Sequence, residues 1–226
     1  MNAVSEWLEV EVSRGGEIHQ MEFERGKTTK KLSVIGKAKG TGTLITFMPD
    51  AEIFRETVEF KANIIAQRLR ELAFLNSGLE IIFNDERQTT AEPERFYYKN
   101  GVEEFVKQLN KSKEPLHPKP ISFRKETTEK LDDKDIEVHV EVVLQYNDSY
   151  NDQVLCYTNT IHNPDGGTHL SGFRSAVTRA INQYAKSNEL LKEKDPQITG
   201  DDVREGLTAV ISVKHSDPKF ESQTKV

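Results

Sequence analysis

IHNPDGGTHLSGFRSAVTRAINQY, residues 161–184, begins as a turn and becomes a helix. Asn163-Pro164-Asp165-Gly166-Gly167 concentrates turn formers: proline fixes φ, and the two glycines admit φ > 0. Thr168 is placed to cap the helix that follows. Leu170, Phe173, Val177, Ile181 and Tyr184 recur at helical spacing, so they share one face. Gly172 lies inside this helix, where glycine costs about 1 kcal/mol relative to alanine; a close neighbour on that side would explain it. Arg174 and Arg179 lie off the apolar stripe and face water or a partner. The residues alone describe an amphipathic surface helix with a capped start.

Around this helix the second half of the chain reads as strands. Ile136, Val138, Val140, Val142 and Leu144 alternate with Glu137, His139, Glu141 and Val143, the pattern of a half-buried strand. Asn147-Asp148-Ser149 starts a turn, and residues 153–160 are expected to pair back as a hairpin. After the helix comes a charged loop at 188–196. Thr199 is placed to cap a short turn whose acids, Asp201 and Asp202, suit a helix N-terminus. Residues 207–214 form a last, buried-looking strand.

The first half gives a meander, a helix and a hairpin. Trp7, Glu9 and Glu11 alternate with Leu8, Val10 and Val12, and Gly15-Gly16 returns the chain into 18–23. A third strand is expected at 31–35 and a fourth, rich in β-formers, at 43–48. The loop GKAKGTGT, residues 36–43, is no Walker A loop: Thr41 stands where the second glycine is required, and no Gly-Lys-Ser/Thr follows. Residues 60–75 form the clearest helix, with Ile65, Leu69 and Leu72 inward and Asn76-Ser77-Gly78 as its stop. Residues 79–83 and 96–98 are short strands, and 101–110 a short helix. Pro115, Pro118 and Pro120 exclude helix or central strand from 111–120. The domain boundary is placed there, dividing 1–118 from 119–226. Both parts are expected to be α+β, with helices packed on sheets.

The bulk numbers narrow the classes. The chain has 226 residues, 30% of them charged, a net charge of −6 and a mean hydropathy of −0.64. No apolar run approaches the ~18 residues of a membrane span, so no membrane partner is expected. MNAVSEWLEV has neither a basic nor an apolar leader region. One cysteine, Cys156, excludes an internal disulfide, and a reducing cytoplasm is the expected compartment. A net negative chain argues against a broad nucleic-acid surface but allows a local basic strip on one helix.

Catalytic motifs are sparse. The six histidines are scattered and Cys156 has no cysteine partner, so no metal site is expected. Cys156 sits between Leu155 and Tyr157 in a strand, the setting of a buried, inert thiol. Ser171 and Ser175 show no nucleophile elbow. The residues by themselves do not define an enzyme.

Four long segments nevertheless resemble one family: AQRLRELAFLNSGLEI at 66–81, YTNTIHNPDGGTHLSGFRSAVTRAIN at 157–182, TGDDVREGLTAVISVK at 199–214 and DPKFESQTK at 217–225. They are similar to bacterial DNA gyrase B and to its relative, the equivalent chain of topoisomerase IV, over essentially the whole sequence. GTGTLITFMPD is similar to that family's strand beside the nucleotide. The resemblance implies the back portion of a GHKL-type ATPase domain over 1–118, a partial α/β sandwich. A left-handed β-α-β transducer domain of the ribosomal-protein type, short of its C-terminal end, would follow over 119–226. It implies an ATP-operated clamp that captures and passes DNA, with ATP and Mg2+ as cofactor. Its partners would be DNA, a gyrase A-type subunit in an A2B2 assembly and a second copy of gyrase B.

By the same resemblance Gly42 and Thr43 lie in the adenine pocket and Arg14 at its mouth. Gln223 and Lys225 match the transducer residues that reach the γ-phosphate, and Arg174 matches a cavity-facing arginine that meets transported DNA. A lysine suits a phosphate that gains charge during transfer. Such a bond, about 1.5–3 kcal/mol, would bias open and closed clamps about ten- to a hundredfold. The family's Asp-x-Gly-x-Gly motif, general-base Glu, Mg-binding Asn and Gly-rich lid belong upstream of Met1. Asp165-Gly166-Gly167-Thr168-His169 does not replace them. The sequence thus resembles half a nucleotide pocket with the lever that senses it. The alternatives are an inactive segment that binds a full-length gyrase B, or the equivalent part of topoisomerase IV.

Overall fold

A computed structural model describes residues 1–87, 92–131, 134–192 and 194–220. The chain forms two compact units, Met1–Lys61 and Ala62–Val226. The boundary expected from the prolines near residue 118 lies inside the second unit.

The first unit is a four-stranded antiparallel sheet of order β3-β2-β1-β4. Its strands are β1 (Ser5–Arg14), β2 (Glu17–Glu24), β3 (Lys27–Lys37) and β4 (Gly42–Pro49). Gly15 and Gly16, at φ +64° and +86°, make the β1–β2 turn that the sequence predicts. Register places Leu8, Val10 and Val12 beside Phe23, Met21 and His19 on one side and Phe47, Ile45 and Thr43 on the other. These residues share one face because strand side chains alternate. The opposite face is mixed: Trp7, Leu44 and Met48 share it with a polar cluster in which Gln20 donates to Glu9 and Glu11 and accepts from Lys30. Arg25 pairs with buried Asp50 at 2.8 Å and with Glu52 at 2.7 Å, tying the β2–β3 turn to the end of β4.

The second unit holds a five-stranded sheet, β10-β9-β11-β8-β7, with helices on both faces, and a two-stranded ribbon β5-β6. In chain order its elements are α1 (Ala62–Leu75), β5 (Glu80–Phe83), β6 (Glu94–Tyr97) and α2 (Val102–Leu109). Then come β7 (Ile121–Leu131), β8 (Lys134–Tyr146), β9 (Gln153–Thr158) and β10 (Ile161–His162). Last are α3 (Thr168–Ser187), α4 (Gly200–Arg204) and β11 (Leu207–His215). Phe74, Phe105 and Tyr157 pack with Val143 and Val210 on one side of the sheet. Phe173 of α3 packs with Leu144, Leu207, Ala209 and Val154 on the other. Neighbouring residues of β11 thus point into two different cores, which is why residues 207–212 are all buried.

Five local features differ from the sequence expectation. Residues 153–158 do not pair with β8; β11 lies between them, antiparallel to β8 and parallel to β9. A parallel pair needs a crossover, and α3 supplies it. Strand β7 has no apolar alternation to announce it, because ISFRKETTEK is mostly polar; it is the sheet edge, where one neighbour suffices. Thr168 does not cap α3: the N-cap is Gly167, without a side-chain bond, and Thr168 is already helical. Gly172 has no close neighbour, and a Cβ there would meet nothing within 4 Å. The buried stripe of α3 ends in Ala185, whereas Tyr184 is 64% exposed, because four residues after Ile181 returns to the same face.

Candidate functional site

Two surfaces bear on function, one in each unit. In the first unit, Ser13 pairs with Gly42 and Val12 with Thr43, and Arg14 is the next residue of β1. Arg14 and the Gly42-Thr43 pair, distant in sequence, therefore meet at one end of the sheet. All three are exposed. Thr43 and Arg14 stand on the apolar face, in line with Val10 and Val12. That face is incompletely covered: Val10, Val12 and Met21 are half-buried and Ile45 is 49% exposed. Phe60 packs edge-on against Phe47 at 6.2 Å, which covers the other end. An apolar floor with one hydroxyl and one guanidinium at its open end fits a flat, polar-edged heterocycle attached to an anionic group.

In the second unit, α3 and α4 border a groove of about 690 Å³. Arg174, Thr178, Asn182 and Lys186 line it at spacings of four, with Arg179 on the adjacent row and Arg204 from α4. No acidic side chain is in its wall among the described residues. Asn182 fixes the geometry: its amide donates to the Ile198 carbonyl at 2.8 Å and accepts from the Ile198 N–H at 3.0 Å. Thr199 then caps α4 in a reciprocal box with Asp202, whose carboxylate these bonds hold below its usual range. Tyr146 donates its hydroxyl to the Val203 carbonyl at 2.8 Å. Arg204 is thereby presented beside α3. Arg174, singled out in the sequence, is a groove residue. The spacing of four through Thr178 and Asn182 to Lys186 is readable in the sequence, but Arg204 comes from a distant segment and carries no local signal.

Cys156 is buried, and burial pushes its thiol up to about 11, against the opposing pull of Arg174. It is a core residue, as expected. His169 is lowered by burial, and its Nε2 is buried without a partner. Gln223 and Lys225 lie outside the described residues. The strand leading to them ends under a two-way clamp: Asn159 donates to the His215 carbonyl and accepts from its N–H, each at 2.8 Å. No helix among the described residues is long and apolar enough to cross a membrane.

The chain is similar to known proteins in sequence and in fold. The profile of the DNA gyrase B family matches residues 101–226. The chain is 45% identical over 225 residues to a DNA gyrase B of Bacillus mycoides, covering 100% of this chain and 54% of that one. It is 48% identical over 225 residues to the DNA gyrase B of Halalkalibacterium halodurans, covering 34% of it. The chain thus spans about half of the first relative and a third of the second. Among solved structures, the ATPase domain of Thermus thermophilus gyrase B, in complex with an aminocoumarin, matches with a TM-score of 0.80 at 45% identity, over 97% of this chain and 58% of that one. A topoisomerase IV ATP-binding domain of Francisella tularensis matches with 0.76 at 28%, over 99% and 58%.

The fold is therefore α+β, of the GHKL ATPase-and-transducer class these structures share. The chain belongs to the DNA gyrase B family.

Proposed function

We propose that this chain forms the pocket floor and transducer of an ATP-hydrolysing type II DNA topoisomerase of the gyrase type. The division is that of the sequence reading, ATPase portion to residue 118 and transducer from 119. The observation that carries the reading is the meeting of Arg14, Gly42 and Thr43 at the open end of an apolar sheet face, in a chain of the DNA gyrase B family. Val10, Val12 and Ile45 would floor the adenine, and Thr43 would bond its polar edge. Arg14 would guard the mouth. Gln223 and Lys225 would contact the γ-phosphate, and Arg174 would face transported DNA. ATP with Mg2+, when bound, supplies the free energy for clamp closure and strand passage. The partners are DNA, a gyrase A-type subunit in an A2B2 assembly and a second copy of gyrase B, in the cytoplasm. The curated relatives at 45% and 48% identity, both DNA gyrase B chains, favour gyrase over topoisomerase IV.

The test uses a protein of full gyrase B length that carries this segment. Lys225→Ala should cut ATP hydrolysis while nucleotide binding persists in weakened form; unchanged hydrolysis removes the assigned role. A polypeptide of residues 1–226 alone should not turn over ATP; turnover that Lys225→Ala abolishes would overturn this.

A further inference from the structure

The groove on α3 has an acid beside it that does not line it. Asp152 sits in the β8–β9 connection, and its Oδ2 lies 3.6 Å from the Arg174 guanidinium and 3.6 Å from Nε of Arg204. One oxygen is thus shared by two cations from two helices. Asp201 also pairs with Arg204. Arg179 and Lys186, in the same groove, have no carboxylate partner among the described residues. Two of the groove's cations are therefore open to an anion, and two are damped by acids.

We propose that Asp152 is an internal stand-in for a DNA phosphate: it holds Arg174 and Arg204 together until a backbone phosphate displaces it. This rests on the reading of the groove as DNA-facing. Charge-assisted bonds between guanidinium and carboxylate normally close to about 2.7–2.9 Å. Both contacts of Asp152 are longer, so the acid is loosely held. It is also accessible: the side chains of Arg174, Asp152 and Arg204 are 43%, 34% and 24% exposed. A phosphate offers more acceptor oxygens than the single one Asp152 shares, and can engage both guanidiniums at bonding distance. A resident acid also fits a site that a duplex passes through, because it reclaims the arginines and speeds release. In a chain of net charge −6, it keeps the DNA contact local and brief.

The test is binding of a short duplex DNA to the 226-residue chain at low salt, followed by fluorescence anisotropy. Arg174→Ala should weaken binding. Asp152→Asn should tighten it about two- to fivefold, the range open to an exposed ion pair; that gain should shrink when Arg174 is also alanine and vanish when Arg174 and Arg204 both are. Asp148→Asn removes a nearby acid whose carboxylate instead accepts the Glu114 N–H, and should leave binding unchanged. Thermal melting of each variant checks the fold. The proposal is overturned if Asp152→Asn binds equally or more weakly, or if its gain survives the loss of both arginines or is matched by Asp148→Asn. No binding by any variant, or binding indifferent to Arg174→Ala, removes the DNA reading itself. A loss with Arg174→Ala beside a silent Asp152→Asn removes only the role of Asp152.

Discussion

β1 and β11 are both interior strands with clean apolar patterns, yet they are covered differently. Along β11 the six residues 207–212 are buried, whereas β1 buries only Ser5 and Leu8. β11 has helices on both sides of its sheet; β1 has a mixed face, where Trp7, Leu44 and Met48 stand among polar side chains, and an apolar face that is half open. Period-two alternation reports that a strand exists and which side is apolar. It does not report what lies against that side. A fully covered sheet is a framework, and it places α3 and α4 to build the basic groove. An apolar face that stays half exposed, with Thr43 and Arg14 at its open end, is suited to a ligand.

Substitutions can break this contrast. Gly206, at φ +69°, turns the chain into β11, and a Cβ there would clash with the Asn147 carbonyl oxygen. Gly206→Ala should cost about 4 kcal/mol in urea unfolding, from backbone strain and overpacking together; a loss under about 1 kcal/mol would mean the β8–β9 connection yields easily. Ile211→Ala should cost about 3 kcal/mol, whereas Ile45→Ala should cost less than about 1 kcal/mol. Ile211 is 1% exposed and Ile45 is 49% exposed. Equal losses would show the first sheet to be as well covered as the second. Gly172→Ala should stabilise the second unit by about 0.5–1 kcal/mol, since it removes a helix-interior glycine in open space; destabilisation would reveal a neighbour on that flank.

The smallest effect concerns pH. Burial lowers His169 from 6.5 in the folded state. The unfolded chain then takes up the proton first, so stability is complete above the unfolded value. It falls as pH drops below about 6.5 and stops falling below the folded value. His169→Gln should flatten this slope in melting temperature against pH. A slope unchanged by the substitution would assign it to other groups.

The strands of the first unit, the stop of α1 and the capping of α4 are legible in the sequence because each rests on local chemistry: alternation, Gly78 and the Thr199–Asp202 pair. The insertion of β11 between β8 and β9 is not, because strand order depends on the crossover and on which cores each face meets. β7 is hidden by its charges, which an edge strand tolerates. Gly172 suggests a close contact where there is open helix. Of the candidate site, Thr43, Gly42 and Arg14 are legible only through family resemblance, whereas Arg174 is also marked by its place off the apolar stripe of its helix. Their gathering at one sheet end, and the placing of Arg174 beside Arg204 and Asp152, need the register and the fold.

The central claim is that the half-open apolar face of the first sheet is the nucleotide side. Thr43 points to that face; Thr46, on the same strand, points to the opposite one. In a protein of gyrase B length carrying this segment, the dissociation constant for a non-hydrolysable ATP analogue should be measured for Thr43→Phe and Thr46→Phe. Thr43→Phe should weaken binding at least about tenfold, the loss of roughly 1.4 kcal/mol, while Thr46→Phe should leave it unchanged. Equal affinities for the two variants, or a loss confined to Thr46→Phe, would contradict it.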